Sequence, residues 1–105
     1  MNYHDNKSCI DACLQCVALC QHCASEDLKE KHNMANCVQT NMECAAICNA
    51  AASLMSLGSE YAKEICKLCV KVCTRCADEC SRHDHKHCKE CADACRKCAA
   101  ECSKM

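Results

Sequence analysis

The residues of this sequence whose types and spacing favour chemistry are its cysteines, which occupy 18 of the 105 positions. In three stretches they alternate at intervals of three and four residues, as in the run that ends at Cys98 and Cys102. At about 100° per residue on a helix, such a run falls on one narrow stripe. Thiolates are strong ligands for soft metal ions. The spacing therefore predicts helices that present a line of metal-binding sulfurs.

Two kinds of metal ion fit this spacing. Thiols four residues apart on a helix have Cβ atoms about 5–6 Å apart, so one helix can supply a nearly linear two-thiolate site for Cu(I). Zn²⁺ prefers four sulfurs in a tetrahedron, which requires cysteines from two or more helices. Sharing thiolates between Cu(I) ions also avoids burying a net negative charge. We expect multiple Cu(I) ions, on the order of one per one to two cysteines, with a zinc or mixed-metal sink as the alternative.

Other uses of so many cysteines fit the sequence less well. A secreted disulfide scaffold is rich in loops, whereas this chain has one glycine and no proline. Iron–sulfur clusters favour cysteines in loops, a redox enzyme needs an exposed, activated thiolate, and thiols used only for packing would risk oxidation. We expect a binding protein and not an enzyme. Without metal its buried thiols should mostly be neutral and its helices should fold on their own.

The residues between the cysteines include many Ala, Lys, Arg and Glu, which favour helices. Gly58 suits the left-handed residue that ends a helix, and Ser59 suits the cap of the next one. We predict four helices, which run from Asp5 or Ser8 to about Ala24, from about Leu28 to Leu57, from about Glu60 to Ser81, and from a cap at Asp84 to near Lys104.

Four helices joined by short links favour an antiparallel up-down-up-down bundle. The chain has no Phe and no Trp, so thiols, which behave as small hydrophobes when neutral, must fill the core. We predict an all-α fold, a single four-helix-bundle domain over residues 1–105 with a cysteine-lined core. Its predicted metal ligands are Cys9, Cys13, Cys16, Cys20, Cys23, Cys37, Cys44, Cys48, Cys66, Cys69, Cys73, Cys76, Cys80, Cys88, Cys91, Cys95, Cys98 and Cys102.

An antiparallel arrangement brings five histidines to one end of the bundle. We name it the histidine-rich end, and its predicted members are His22, His32, His83, His85 and His87. Imidazole is a copper ligand, so this end is predicted to capture Cu(I) and pass it to nearby thiols. Solvated surface or helix capping explains any single histidine equally well. For every one of the five histidines, these explanations and copper capture all remain open.

The second helix has fewer thiols than the others. Met34 and Met55 lie on its predicted inner face, where a methionine either ligates copper or fills space in the core. Asn41 lies on the same predicted inner face, at a position that a thiol occupies on the other helices. It is expected to act as a weak ligand or as a polar contact.

Composition argues against several other partners. The net charge is −1 at pH 7 and aromatic residues make up 2%, so neither a basic patch nor a stacking platform for nucleic acid is present. No segment reaches the length of a membrane span, and residues 1–8 lack the apolar run of a signal peptide. We expect no nucleic acid, no membrane, and a cytoplasmic location in which thiols stay reduced.

Over nearly all its length the sequence resembles the bacterial copper storage proteins, specifically their cytosolic branch. The stretches that carry the resemblance are Cys9-Ile-Asp-Ala-Cys13, Cys20-Gln-His-Cys23, Glu43-Cys-Ala-Ala-Ile-Cys48, Lys63-Glu-Ile-Cys66 and His83-Asp-His-Lys-His-Cys88. The resemblance implies many Cu(I) ions inside each bundle, a homo-tetramer, and a role in copper storage or detoxification. It also implies that copper lies on the 18 stripe cysteines, with His83 and His87 as uptake ligands. A copper chaperone or a small thiol would be the donor.

Overall fold

The computed structural model describes residues 3–105, which form four helices. Their bounds are α1 (Lys7–Asp27), α2 (Ala35–Ser56), α3 (Ala62–Ser81) and α4 (Lys86–Cys102). Each helix packs against the next, and α1 also packs against α4, in a rod of 45 × 18 × 17 Å. The described residues contain no strand. The predicted all-α, antiparallel four-helix bundle is confirmed.

The core of the bundle consists mainly of cysteine and alanine. All 18 thiols are buried, and small side chains such as Ala51 and Ala77 lie beside them. Small residues let neighbouring helices approach closely, so the thiols of facing helices come into contact. The predicted cysteine-lined core is confirmed. None of the helices in the described region is long and apolar enough to span a membrane.

The first two helices have different bounds from those predicted. Helix α1 continues three residues past Ala24 to Asp27, and α2 begins at Ala35 instead of Leu28. Asp27 extends α1 because it lies one turn after Cys23 and accepts a hydrogen bond from that thiol inside the bundle. Leu28 lies on the surface in the connection, and Asn33 Oδ1 accepts a 2.9 Å hydrogen bond from the Ala35 N–H at the true start of α2.

The predicted helix stop at Gly58 is confirmed. Its φ of 65° is left-handed, and the N–H groups of Gly58 and Ser59 donate to the carbonyls of Met55 and Leu54 at 3.1 and 2.9 Å. This pair of bonds is a Schellman motif, which satisfies the last carbonyls of α2.

The predicted caps of the last two helices are wrong. Helix α3 begins at Ala62, and Ser59 Oγ accepts a hydrogen bond from the N–H of Tyr61. Helix α4 is preceded by His85, which makes no side-chain cap bond, while Asp84 instead pairs with Lys89 at 3.3 Å. Helix α4 also ends at Cys102, two residues before Lys104, because Ser103–Met105 continue as a turn.

Candidate metal centre

The thiols form one interior cluster that runs along the bundle axis. Neighbouring Sγ atoms lie 3.4–4.0 Å apart, and several sets of four sulfurs lie within 4.8 Å of one another. Most of these sets draw on three helices, because the stripes of α1 to α4 all face the same axis. Two such sets are Cys16, Cys20, Cys44 and Cys95, and Cys48, Cys69, Cys73 and Cys98.

Sulfurs on different helices lie as close together as sulfurs on one helix. The i,i+4 pair Cys69–Cys73 has an Sγ–Sγ distance of 3.7 Å, while Cys48 on α2 lies 3.5 Å from Cys73 on α3. Two metal–sulfur bonds of ~2.3 Å that meet at a trigonal or tetrahedral angle span ~3.8–4.0 Å. The structure therefore does not favour metal sites formed by one helix over sites formed by several helices. A metal ion can bind thiols of two or three helices at once.

Hydrogen bonds among the thiols change their acidities in opposite directions. Hydrogen bonding with Cys102 and Cys13 lowers the pKa of Cys98 to about 6, because neighbouring S–H groups stabilise a thiolate. Hydrogen bonding with Cys16 and other thiols, together with burial, raises the pKa of Cys95 above its ordinary value. A metal-free core thus retains protons on thiols such as Cys95, and a metal ion that binds there displaces them.

At the histidine-rich end, Asp27 connects three helices. Its Oδ1 atom lies 3.0 Å from Nε2 of His87 on α4, and its Oδ2 atom accepts a 3.3 Å hydrogen bond from the Asn41 amide on α2. The thiols of Cys23 and Cys88 donate to the same carboxyl group at 3.7 and 3.5 Å. Asp27 therefore closes this end of the thiol cluster with a mixed set of oxygen, nitrogen and sulfur atoms.

The environment of Asp27 also affects the outermost thiol of α4. Burial raises the pKa of Cys88 above 9.0, and the nearby carboxylate of Asp27 adds to the effect. Cys88 is consequently neutral at pH 7 in the absence of a cation. A metal ion that replaces its proton also relieves this repulsion.

Sequence reasoning did not identify Asp27 as a member of the site. The spacing nevertheless contained a signal, because Asp27 lies four residues after Cys23 and continues the α1 stripe of Cys9, Cys13, Cys16, Cys20 and Cys23. The predicted end of the first helix at about Ala24 left Asp27 outside that stripe. The last member of this stripe is a carboxylate and not a thiol, so the cysteine pattern alone did not extend the helix to Asp27.

The predicted histidines do not form one group. The rings of His85 and His87 are stacked, with centroids 5.2 Å apart, whereas His83 Nε2 lies 2.9 Å from a carboxyl oxygen of Glu79. His22 and His32 are exposed on the surface. The structure therefore brings His87 to Asp27, which contacts the thiols, stacks His85 on the His87 ring, and directs His83 to a neighbouring side chain.

Asn41 is a hydrogen-bonding hub between the end and the middle of the cluster. Its Oδ1 atom accepts S–H donors from Cys76, Cys80 and Cys91 at 3.2, 3.4 and 3.2 Å. Its amide donates to Asp27 and to Cys37. The polar contact expected of Asn41 is confirmed. Met34 and Met55 are both buried in the core, as expected from their positions on the predicted inner face of the second helix.

A family model described as "Copper storage protein" matches residues 2–105. Among solved structures, the Cu(I)-bound BsCsp3 from Bacillus subtilis is 41% identical with a TM-score of 0.92, over 95% of this chain and 96% of that one. The Streptomyces lividans protein Ccsp, "loaded with 10 copper equivalents", is 38% identical with a TM-score of 0.87, over 91% of this chain and 79% of that one.

A curated relative, the uncharacterized cysteine-rich protein YhjQ of Bacillus subtilis, is 42% identical over 84 residues, which cover 78% of each chain. The family model covers nearly all of the chain. The chain belongs to the copper storage protein family.

Proposed function

We propose that this protein stores and buffers multiple Cu(I) ions on the thiolates of its core. The observation that carries the proposal is the single buried cluster of 18 thiols, whose sulfurs are already within bridging distance of one another. Its relatives support copper as the metal, since one solved relative is Cu(I)-bound and another carries 10 copper equivalents.

Charge balance sets the capacity. When one Cu(I) replaces one thiol proton, the buried core stays neutral, and bridging thiolates allow this ratio while each ion keeps two or three sulfurs. The proposed ligands are the 18 core cysteines. We expect a capacity of about 9–18 ions, on the order of one per one to two cysteines.

We propose that Cu(I) is taken up at the histidine-rich end. His87 is the residue best placed for first capture, since it contacts Asp27, and Asp27 in turn contacts the outermost thiols Cys23 and Cys88. His83, also proposed as an uptake ligand, must first leave Glu79. A copper chaperone or a small thiol is the proposed donor.

The remaining cellular features are also proposals. We propose a cytoplasmic, non-enzymatic protein of one domain that protects against copper toxicity and supplies copper enzymes. Assembly into a tetramer is supported by exposed apolar side chains on α1, on α2 and directly after α2, among them Leu14, Met42 and Leu57. Burying such side chains between copies would stabilise an oligomer.

A zinc or mixed-metal sink is the second candidate function. It is favoured by one specific observation, the sets of four sulfurs that lie within 4.8 Å of one another, because Zn²⁺ binds four thiolates in a tetrahedron.

Anaerobic titration of the reduced protein separates the two functions. Cu(I) is added in the presence of a tight Cu(I) chelator, and Zn²⁺ is titrated in parallel against a zinc indicator. Storage of copper predicts that the protein retains many Cu(I) ions against the chelator. Retention of one or two ions, or preferential retention of Zn²⁺, would reject it. Protein with all thiols alkylated is the control and should bind neither ion.

A further inference from the structure

The two ends of the thiol cluster meet the surface differently. At the histidine-rich end, Cys23 and Cys88 have no exposed surface and lie beneath Asp27. At the opposite end, Cys9 and Cys102 expose 4% and 2% of their surface. Within residues 3–105 they are the only cysteines with any exposure. Within the described residues, the Cys9–Cys102 pair is therefore the only part of the cysteine core that solvent reaches.

The Cys9–Cys102 pair lies between α1 and α4, while the other side of the same end is closed. Its Sγ atoms are 3.4 Å apart. On the α2–α3 side, Met55 and Ala62 are wholly buried and apolar. This asymmetry confines access at the opposite end to one two-thiol site.

The surface beside the pair has room for a small polar molecule. A groove of 520 Å³ between α1 and α4 is lined by residues next to the pair in the chain, including Ser8 and Glu101, and also by Lys97. The opposite charges of Glu101 and Lys97 on this groove suit a small zwitterionic thiol.

A continuous line of sulfurs connects the pair to the middle of the bundle. Cys102 lies 3.7 Å from Cys13, Cys13 lies 3.5 Å from Cys98, and Cys98 lies 3.7 Å from Cys48. Each step is shorter than the ~4.6 Å that two metal–sulfur bonds of ~2.3 Å span in a line. A Cu(I) ion can therefore move along the line while it remains bonded to at least one sulfur.

We propose that the Cys9–Cys102 pair is an exchange port at which small thiols withdraw Cu(I), at the end opposite to uptake. This inference rests on the proposed storage function. In the exchange step a copper–sulfur bond forms to the incoming thiol as the bond between copper and Cys102 Sγ breaks. The proton of the incoming thiol passes to Cys102 Sγ. Copper stays in the +1 state throughout, and no electron is transferred.

Three matched pairs of cysteines test the port. Each joins one thiol of α1 to one of α4, and their Sγ–Sγ distances are similar at 3.4, 3.6 and 3.9 Å: Cys9/Cys102, Cys16/Cys95 and Cys23/Cys88. Each pair is replaced by valine, which fills the space but cannot carry copper. All three double variants lose the same number of thiols, so a loss of capacity alone cannot distinguish them.

The measurement is the rate at which anaerobic, copper-loaded protein loses Cu(I) to excess glutathione, with retained copper counted after gel filtration. We expect Cys9→Val/Cys102→Val to slow release by about tenfold or more, and by a clearly larger factor than either of the other two variants. Unchanged release in Cys9→Val/Cys102→Val, or equal slowing in Cys23→Val/Cys88→Val, would overturn the port.

A second measurement uses the native chain and does not depend on how the variants fold. Copper-loaded protein is treated with limiting N-ethylmaleimide and mapped by mass spectrometry. We expect Cys9 and Cys102 to be modified first, and first modification at Cys23 or Cys88 would overturn the port. If the native chain retains no Cu(I) against the chelator, the storage function itself fails. If it retains Cu(I) but release does not depend on the pair, only the port fails.

Discussion

The Nε2 atom of His87 lies 3.0 Å from Oδ1 of Asp27, although 60 residues separate them in the chain. This contact joins the end of α1 to the start of α4, directly above the outermost thiols. Because Asp27 also accepts hydrogen bonds from two thiols and from Asn41, a change at this one carboxyl group should alter both stability and copper uptake.

Asp27→Ala should destabilise the metal-free protein by about 1–3 kcal/mol, because it leaves buried donors without an acceptor. Chemical denaturation of reduced protein, followed by circular dichroism, measures the change. The matched control is Asp11→Ala on the same helix, whose exposed pair with Lys7 should contribute little to stability because solvent screens it. Equal effects of the two substitutions would show that the Asp27 contacts do not stabilise the fold.

His87→Ala should slow the loading of Cu(I) several-fold while capacity stays nearly intact, because the imidazole contacts Asp27 at the entrance to the thiol cluster and is not one of the core thiols. Stopped-flow absorbance of the copper–thiolate band measures loading. His83→Ala should have a smaller effect, since His83 is paired with Glu79, and the exposed His22→Ala serves as the control. Unchanged kinetics in a variant that lacks His83, His85 and His87 together would rule out uptake at this end.

Asn41→Cys should raise the copper capacity by up to one ion, because it adds a sulfur at the contact point of Cys76, Cys80 and Cys91. Native mass spectrometry of the loaded protein counts the ions. Asn41→Leu is the comparison: it removes both the acceptor and the amide donors, so it should lower the stability of the metal-free protein by about 1–3 kcal/mol without adding capacity. A lower copper count in Asn41→Cys would indicate that Asn41 itself is required for binding.

The stability of the metal-free protein should fall in alkaline solution. The pKa of Cys88 is raised in the folded state, chiefly by burial, from an ordinary value of 9.0. Below pH 9 the thiol is neutral in both folded and unfolded chains, so its contribution to stability is complete. Above pH 9 the unfolded chain ionises first, and stability is lost as the pH rises toward the folded pKa. Thermal unfolding of reduced protein at pH 8 and pH 10.5 checks the direction, and Cys88→Ala should show a smaller decrease.

The metal-free, reduced protein should give a helical circular dichroism spectrum. Neutral buried thiols pack as small hydrophobes, so the bundle does not need metal to bury its core, in contrast to small metal-dependent domains. A coil spectrum after removal of metal by a chelator would contradict this expectation.

The sequence predicted the helical stripes and the buried thiols correctly because both depend on local geometry. A residue's position on a helix face follows from the helical repeat alone, so Cys13, Cys48 and Cys95 could be placed inside the bundle without knowledge of their neighbours. Gly58 was also predictable, since a left-handed residue at a helix end is a local requirement. The start of α2 was not, because Leu28–Met34 contains Lys, Glu and Leu, which favour helices, yet lies outside one.

By itself, then, the sequence determined which residues face inward and that their chemistry is that of soft-metal thiolates. Only the tertiary structure decided which thiols of different helices meet, that Asp27 lies under His87, and that Cys9 and Cys102 reach the surface. The physical reason is that the helical repeat sets rotation about each axis, whereas the displacement of one helix along another depends on side-chain packing and on the links between helices. Contacts between residues as far apart as Cys9 and Cys102 depend on that displacement.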